Sequence, residues 1–176
     1  MNAKDIKYIV IHCTAGFQNA EKVQDYFTRP VSKGGRGWNT GGYHRIIEQD
    51  GAIKKMYPFS TITNGVRGFN SNCIHISYVG GIKVVNSKFI AKDTRTNQQK
   101  YAIQLSIVEA INWLKENGKN IKEDLTILGH RDFSEDKNGN GSIESNERIK
   151  ECPSFDAIPE YRIYSATNQK LVLPNN

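Results

Sequence analysis

Short apolar runs broken by glycine-rich or polar stretches dominate the chain. Ile6-Lys7-Tyr8-Ile9-Val10-Ile11-His12 is β-branched and aromatic and stops at Thr14-Ala15-Gly16. That pattern predicts a buried strand with a histidine at its C-terminal end. Residues 21–28 predict a short helix closed by Pro30. Two strand-like runs, 43–48 and 52–57, flank Asp50-Gly51 and predict a hairpin. Residues 73–79 predict another strand, stopped by Gly80-Gly81. Thr96 with Gln99 three residues on reads as a capping box. Tyr101, Leu105, Val108, Ile111 and Leu114 then predict one apolar helix face, with Gly118 as the stop. Residues 125–130 predict a further strand, again ending in a histidine, His130. Residues 134–148 are polar and irregular, and the stretch from Ser165 to Asn176 has no periodicity. With no repeat or linker in 176 residues, the expectation is one α/β domain.

Composition narrows the class. Hydrophobic residues are 38% and charged residues 24%, which excludes wholesale disorder. No apolar run approaches the roughly 18 residues of a membrane span, so no span is expected. The N-terminus reaches polar His12 too soon for a secretory h-region. Three cysteines exclude a disulfide-framed mini-protein and leave buried, metal-bound or catalytic thiols. The net charge of +6 favours a polyanionic partner, either nucleic acid or an acidic envelope polymer. The basic residues are dispersed, and no nucleic-acid-binding signature accompanies them.

Functional groups of open α/β sheets gather at the C-terminal ends of strands. His12 and His130 occupy two such ends, and Cys152 stands before Pro153. Two histidines and a cysteine suit Zn²⁺ with one position left open, the catalytic pattern. Taken alone, a strand-end histidine is more often a hydrogen-bonded core or surface residue, and a lone cysteine is usually packing. The surrounding words shift that balance. Val10-Ile11-His12-Cys13-Thr14-Ala15, Gly42-Tyr43-His44-Arg45-Ile46-Ile47, Gly129-His130-Arg131-Asp132 and Lys150-Glu151-Cys152-Pro153-Ser154-Phe155-Asp156 follow one another in that order. Together they resemble the zinc-dependent type 2 N-acetylmuramoyl-L-alanine amidases, a family that includes bacteriophage amidase lysozymes and peptidoglycan recognition proteins. The resemblance runs from about Ile6 to about Asp156.

The resemblance implies a central mixed sheet flanked by helices, within a catalytic domain over 1–164 and a tail over 165–176. It implies zinc on His12, His130 and Cys152, with Tyr43 and Lys150 lining the active site. Either Lys150 or the Tyr43 hydroxyl could stabilise a developing oxyanion, or Tyr43 could handle the water's proton. Two positions depart from the family. Thr63-Asn64-Gly65-Val66-Arg67 lacks the loop histidine usual before Gly68-Phe69-Asn70, and His75 stands where a small residue is usual. His75 reads as a satisfied core or surface histidine. Strand alternation places His44 opposite Tyr43, and Cys13 and Cys73 read as packing.

Residues 136–147 also fit an EF-hand loop at its diagnostic positions. Asp136, Asn138 and Asn140 occupy positions 1, 3 and 5; Gly141 allows the turn; Ser142 offers its carbonyl; Glu147 is the bidentate twelfth residue. A structural calcium is therefore expected on an insertion between His130 and Cys152, without flanking helices. The overall reading is a monomeric zinc amidase acting on bacterial peptidoglycan, without nucleic acid as partner. Its location is open between endolysin-type release and a removed signal. The alternatives are a non-catalytic peptidoglycan-binding module and a nucleic-acid-binding protein.

Overall fold

The computed structural model describes residues 1–166. In chain order its elements are β1 (Tyr8–Cys13), α1 (Ala20–Thr28), β2 (Arg45–Ile47), β3 (Ile53–Lys55) and β4 (Cys73–Tyr78). They continue with β5 (Ile82–Val85), β6 (Lys88–Ala91), α2 (Asn97–Glu116), α3 (Ile121–Asp124), β7 (Thr126–Gly129) and α4 (Ala157–Tyr161). Five strands form one mixed sheet in the order β3-β2-β4-β1-β7. β1 runs parallel to both β4 and β7, and β2 runs parallel to β4. Within this sheet the β2–β3 hairpin, turning at Asp50-Gly51, is the one antiparallel pair of the described strands, and β5 and β6 form a separate antiparallel pair. No helix of the described residues is long and apolar enough to cross a membrane.

The parallel centre explains the nearly unbroken apolar strands. β1 and β4 are covered on both faces, so alternation sorts side chains between two interiors rather than between core and water. Ile9, Ile11, Cys13, Ile74, Ile76 and Tyr78 enter the larger core with α2 and α4. Val10, Cys73 and Leu128 belong to a second cluster with Val66 and Phe133. His12 and His75 alternate onto that second face.

Helix α2 forms where expected but does not present the expected face. Thr96 Oγ1 accepts from the Gln99 amide at 3.0 Å, and Gln99 Oε1 accepts from the Thr96 amide at 3.1 Å, which completes the capping box. Tyr101, Leu105 and Val108, however, are exposed. The buried stripe is Ala102, Ile103, Ser106, Ile107, Ala110, Ile111 and Leu114. The reason is geometric. At about 100° per residue, each step of three falls about 60° behind, so the predicted series winds round the helix instead of following one face. It begins in solvent and reaches the core only at Ile111 and Leu114. Ala102 and Ala110 sit in the buried stripe, where small side chains suit close packing of helix on sheet.

The β5–β6 hairpin adds to the elements that the sequence pattern predicts. Its turn residues Asn86 and Ser87 both have positive φ, 48° and 60°, the requirement of a two-residue type I′ turn. Asn86-Ser87 between two four-residue runs was the available signal. Within the expected tail, the Ser165 hydroxyl accepts from the Ile127 amide and the Ala166 amide donates to the Leu125 carbonyl. These bonds fall along β7, at one edge of the sheet. The remainder, 167–176, lies outside the described residues.

Candidate metal centre

His12 is the penultimate residue of β1, and His130 directly follows β7, its sheet neighbour. Adjacent parallel strands therefore deliver both imidazoles to one end of the sheet, their ring centroids 4.9 Å apart. Cys152 arrives from the irregular segment after β7, which is held in three ways. The Arg131 amide donates to the Cys152 carbonyl at 2.8 Å. The Tyr78 hydroxyl donates to the Pro153 carbonyl at 2.7 Å. Gly129 lies so close to Pro153 that an added Cβ would stand 2.5 Å from its Cδ.

One ligand atom from each of His12, His130 and Cys152 lies within 4.8 Å of the others. Among the described residues this is the one cluster of three or more His, Cys, Asp or Glu close enough to hold an ion. His12 Nδ1 and Cys152 Sγ are 3.8 Å apart. Zinc bonds of about 2.3 Å to sulfur and 2.0–2.1 Å to nitrogen, at tetrahedral angles, separate such atoms by about 3.6 Å. The donor set and its spacing fit zinc.

Electrostatics prepare the same donors. Burial, then the neighbouring His130, holds His12 well below the usual histidine range. Burial, reinforced by Lys150, lowers His130 to about 4. Both rings are thus neutral near pH 7 and keep a lone pair for a metal. Burial pushes the Cys152 thiol up, and the Cys13 amide donates to its sulfur at 3.2 Å. A cation in the cluster would favour the thiolate. Cys13 itself packs in the main core and Cys73 in the second cluster, as expected.

Tyr43 meets His12 at 5.0 Å between ring centroids and Phe27 at 5.5 Å. Burial, with Cys152 and Cys13 nearby, raises its ionisation well above the usual phenol range. Lys150 is exposed and lines a groove of roughly 720 Å³ beside His130. The groove also contains Arg36, Arg67, Trp38 and Phe69, and among the described residues no Asp or Glu lines it. Arg36, Arg67, Trp38 and Phe133 escaped the sequence reading because dispersed charges and aromatics carry no local signature; the fold gathers them. The 63–70 loop, although it lacks the usual histidine, forms one wall from Asn64 to Asn70.

His44 stays outside the ligand cluster. Its Nε2 donates to the Thr61 carbonyl at 2.9 Å, and its Nδ1 accepts from the His75 amide at 2.9 Å. His75 lies in the core, but it is not the satisfied histidine expected: its Nδ1 lies 3.1 Å from His12 Nε2, while its Nε2 is buried without a hydrogen-bond partner.

The 136–147 loop folds back on itself without flanking helices. The Asp136 carboxylate accepts from the Gly139 and Gly141 amides, and Asn138 and Asn140 accept from the Asn140 and Ser142 amides. Glu147, only 4% exposed, accepts from the Lys137, Asn138 and Glu144 amides.

Residues 2–153 match the family model described as N-acetylmuramoyl-L-alanine amidase. An uncharacterised protein of Haemophilus influenzae is 35% identical over 107 residues, covering 61% of this chain and 83% of that one. The endolysin of Enterobacteria phage K11 is 26% identical over 148 residues, covering 83% and 79%. Among solved structures, an endolysin of the Thermus scotoductus bacteriophage Ph2119 superposes with a TM-score of 0.57 at 22% identity, over 92% of this chain and 86% of that one. With a family model spanning most of its length and the same fold in a solved endolysin, this chain belongs to the N-acetylmuramoyl-L-alanine amidase family.

Proposed function

We propose that the protein hydrolyses the amide between the lactyl group of N-acetylmuramic acid and L-alanine in bacterial peptidoglycan, with zinc on His12, His130 and Cys152. The observation that carries this reading is the three-donor cluster beside a groove with cationic walls. Bound zinc would supply Lewis acidity, polarising the carbonyl and activating water. Arg36 and Arg67 are placed to attract the carboxylates of a stem peptide, while Trp38 and Phe69 offer apolar faces to the ligand. Tyr43, packed against His12 and with burial favouring its protonated phenol, suits the donation of a hydrogen bond to a developing oxyanion. Lys150, whose charge is felt at His12, His130 and Cys152, stands where positive charge favours a developing oxyanion.

Calcium on Asp136, Asn138, Asn140, Ser142 and Glu147 is a further part of the proposal. It rests on the EF-hand pattern and would order the segment that carries Lys150 and Cys152.

The test is mass spectrometry of purified peptidoglycan after incubation, with zinc measured on the same protein. New free L-alanine amino termini are expected, together with near-stoichiometric zinc that Cys152→Ala largely loses along with activity. Binding to peptidoglycan without any cleavage would instead establish a recognition module.

A further inference from the structure

A histidine that gives Nδ1 to a metal carries its proton on Nε2. In His12 it is Nδ1 that faces the Cys152 sulfur, so Nε2 points the other way, into the protein. There it meets one group, Nδ1 of His75, at 3.1 Å, and both residues have no exposed surface. Metal-bound histidines generally need such an acceptor to fix the tautomer and the ring plane. The common acceptors are carboxylates and carbonyls; here the position is taken by an imidazole.

His75 is itself held on three sides. Its backbone amide donates to His44 Nδ1 at 2.9 Å. Its ring stacks on His44, centroids 5.9 Å apart and planes 22° from parallel. The His44 ring is anchored by its own bond to the Thr61 carbonyl. On the remaining side lies Gly65, whose added Cβ would fall on the His75 ring carbon and Nδ1. The loop backbone therefore covers the imidazole, and any side chain at position 65 would displace it.

We propose that His75 is the positioning residue of the metal centre, accepting the His12 Nε2–H so that Nδ1 is presented to the ion. The inference rests on the metal reading of His12, His130 and Cys152 given above. His75 touches neither substrate nor metal; it acts through His12. In the metal-bound state its own proton lies on Nε2, the buried nitrogen with no hydrogen-bond partner.

The experiment measures zinc dissociation constants of metal-free protein against a chromophoric chelator, and the absorption spectrum of the cobalt-substituted forms. Two variants are compared with the wild type. His75→Phe keeps a flat ring and removes the acceptor; His75→Asn places an amide oxygen near the position of Nδ1. The expected result is zinc binding weakened about 10–100-fold in His75→Phe, with an altered cobalt spectrum. His75→Asn should recover most of the affinity and the wild-type spectrum. Equal loss in both variants would make the effect one of packing and overturn the proposal. So would wild-type affinity in His75→Phe. If His75→Phe does not fold, His75→Leu provides the same comparison. A wild type that binds no zinc sinks the metal reading and this inference with it, a result distinct from an unchanged variant beside a zinc-binding wild type.

Discussion

Gly129→Ala probes how the fold brings Cys152 to the histidines. Gly129 has φ −91° and ψ 163°, an extended conformation that alanine adopts without strain. At such positions the substitution ordinarily stabilises by about 0.4–1 kcal/mol, because the unfolded chain has fewer states to lose. Here the new Cβ would stand 2.5 Å from Pro153 Cδ, 3.2 Å from its Cγ and 3.3 Å from an Asp132 carboxylate oxygen. Ordinary carbon–carbon contact is about 3.5–4.0 Å, so Pro153 must retreat by about 1 Å or more. It is not free to do so, since Tyr78 holds its carbonyl and Arg131 holds that of Cys152. Overpacking of this kind costs about 1–3 kcal/mol, so the substitution should destabilise. The displaced Pro153 directly follows Cys152, the proposed zinc ligand, and metal distances tolerate only about 0.2 Å; zinc affinity should therefore fall by at least about tenfold. Gly16→Ala is the control, because its added Cβ meets nothing nearer than 3.9 Å. Urea midpoints of the metal-free proteins and chelator competition for zinc give the two readouts. If Gly129→Ala matched Gly16→Ala in both, the close approach of β7 to Pro153 would not be what seats Cys152.

Other outcomes follow from the same geometry. Lys150→Met and Tyr43→Phe should retain zinc yet lose about 10²–10³ in kcat, the usual effect of removing one oxyanion donor. Near-wild-type turnover by both would refute their roles. Acid should weaken the metal-free fold. Burial lowers His44 to about 4, so between the ordinary value of 6.5 and about 4 the unfolded chain binds a proton that the native state refuses. The stabilisation is complete above pH 6.5 and disappears as pH falls towards 4, on the order of 3 kcal/mol from His44 alone. His12 and His75 are shifted in the same direction. Urea midpoints that stay flat from pH 7 to 4.5 would contradict this. Calcium at a hundred times its dissociation constant should stabilise the wild type by about 2.7 kcal/mol. Glu147→Gln should abolish the shift, and an equal calcium effect in both proteins would mean that the loop is polar surface only.

The sequence by itself determined what depends on neighbours along the chain. Glycines and Asp50-Gly51 delimited the strands and the hairpin, and Thr96 with Gln99 marked the start of α2, because turns and caps are local hydrogen-bond chemistry. The members of the His12, His130 and Cys152 cluster were legible because each lies in a short word of its own. Which stripe of α2 is buried was not legible. Apolar residues recur around much of the helix, Tyr101, Leu105 and Val108 outside the stripe that is buried, and the choice belongs to the sheet packed against it. The second face of β1 and β4 was hidden for a related reason: in a parallel sheet covered on both sides, hydrophobic alternation no longer distinguishes inside from outside. Only the tertiary structure could place His75 against His12 and Gly65 over His75, or collect Arg36, Arg67 and Lys150 in one groove. These groups are remote in sequence and meet only when β4 pairs with β1 and the loops cross the sheet end. Pairing of that kind is set by the packing of the whole chain, and no local pattern records it.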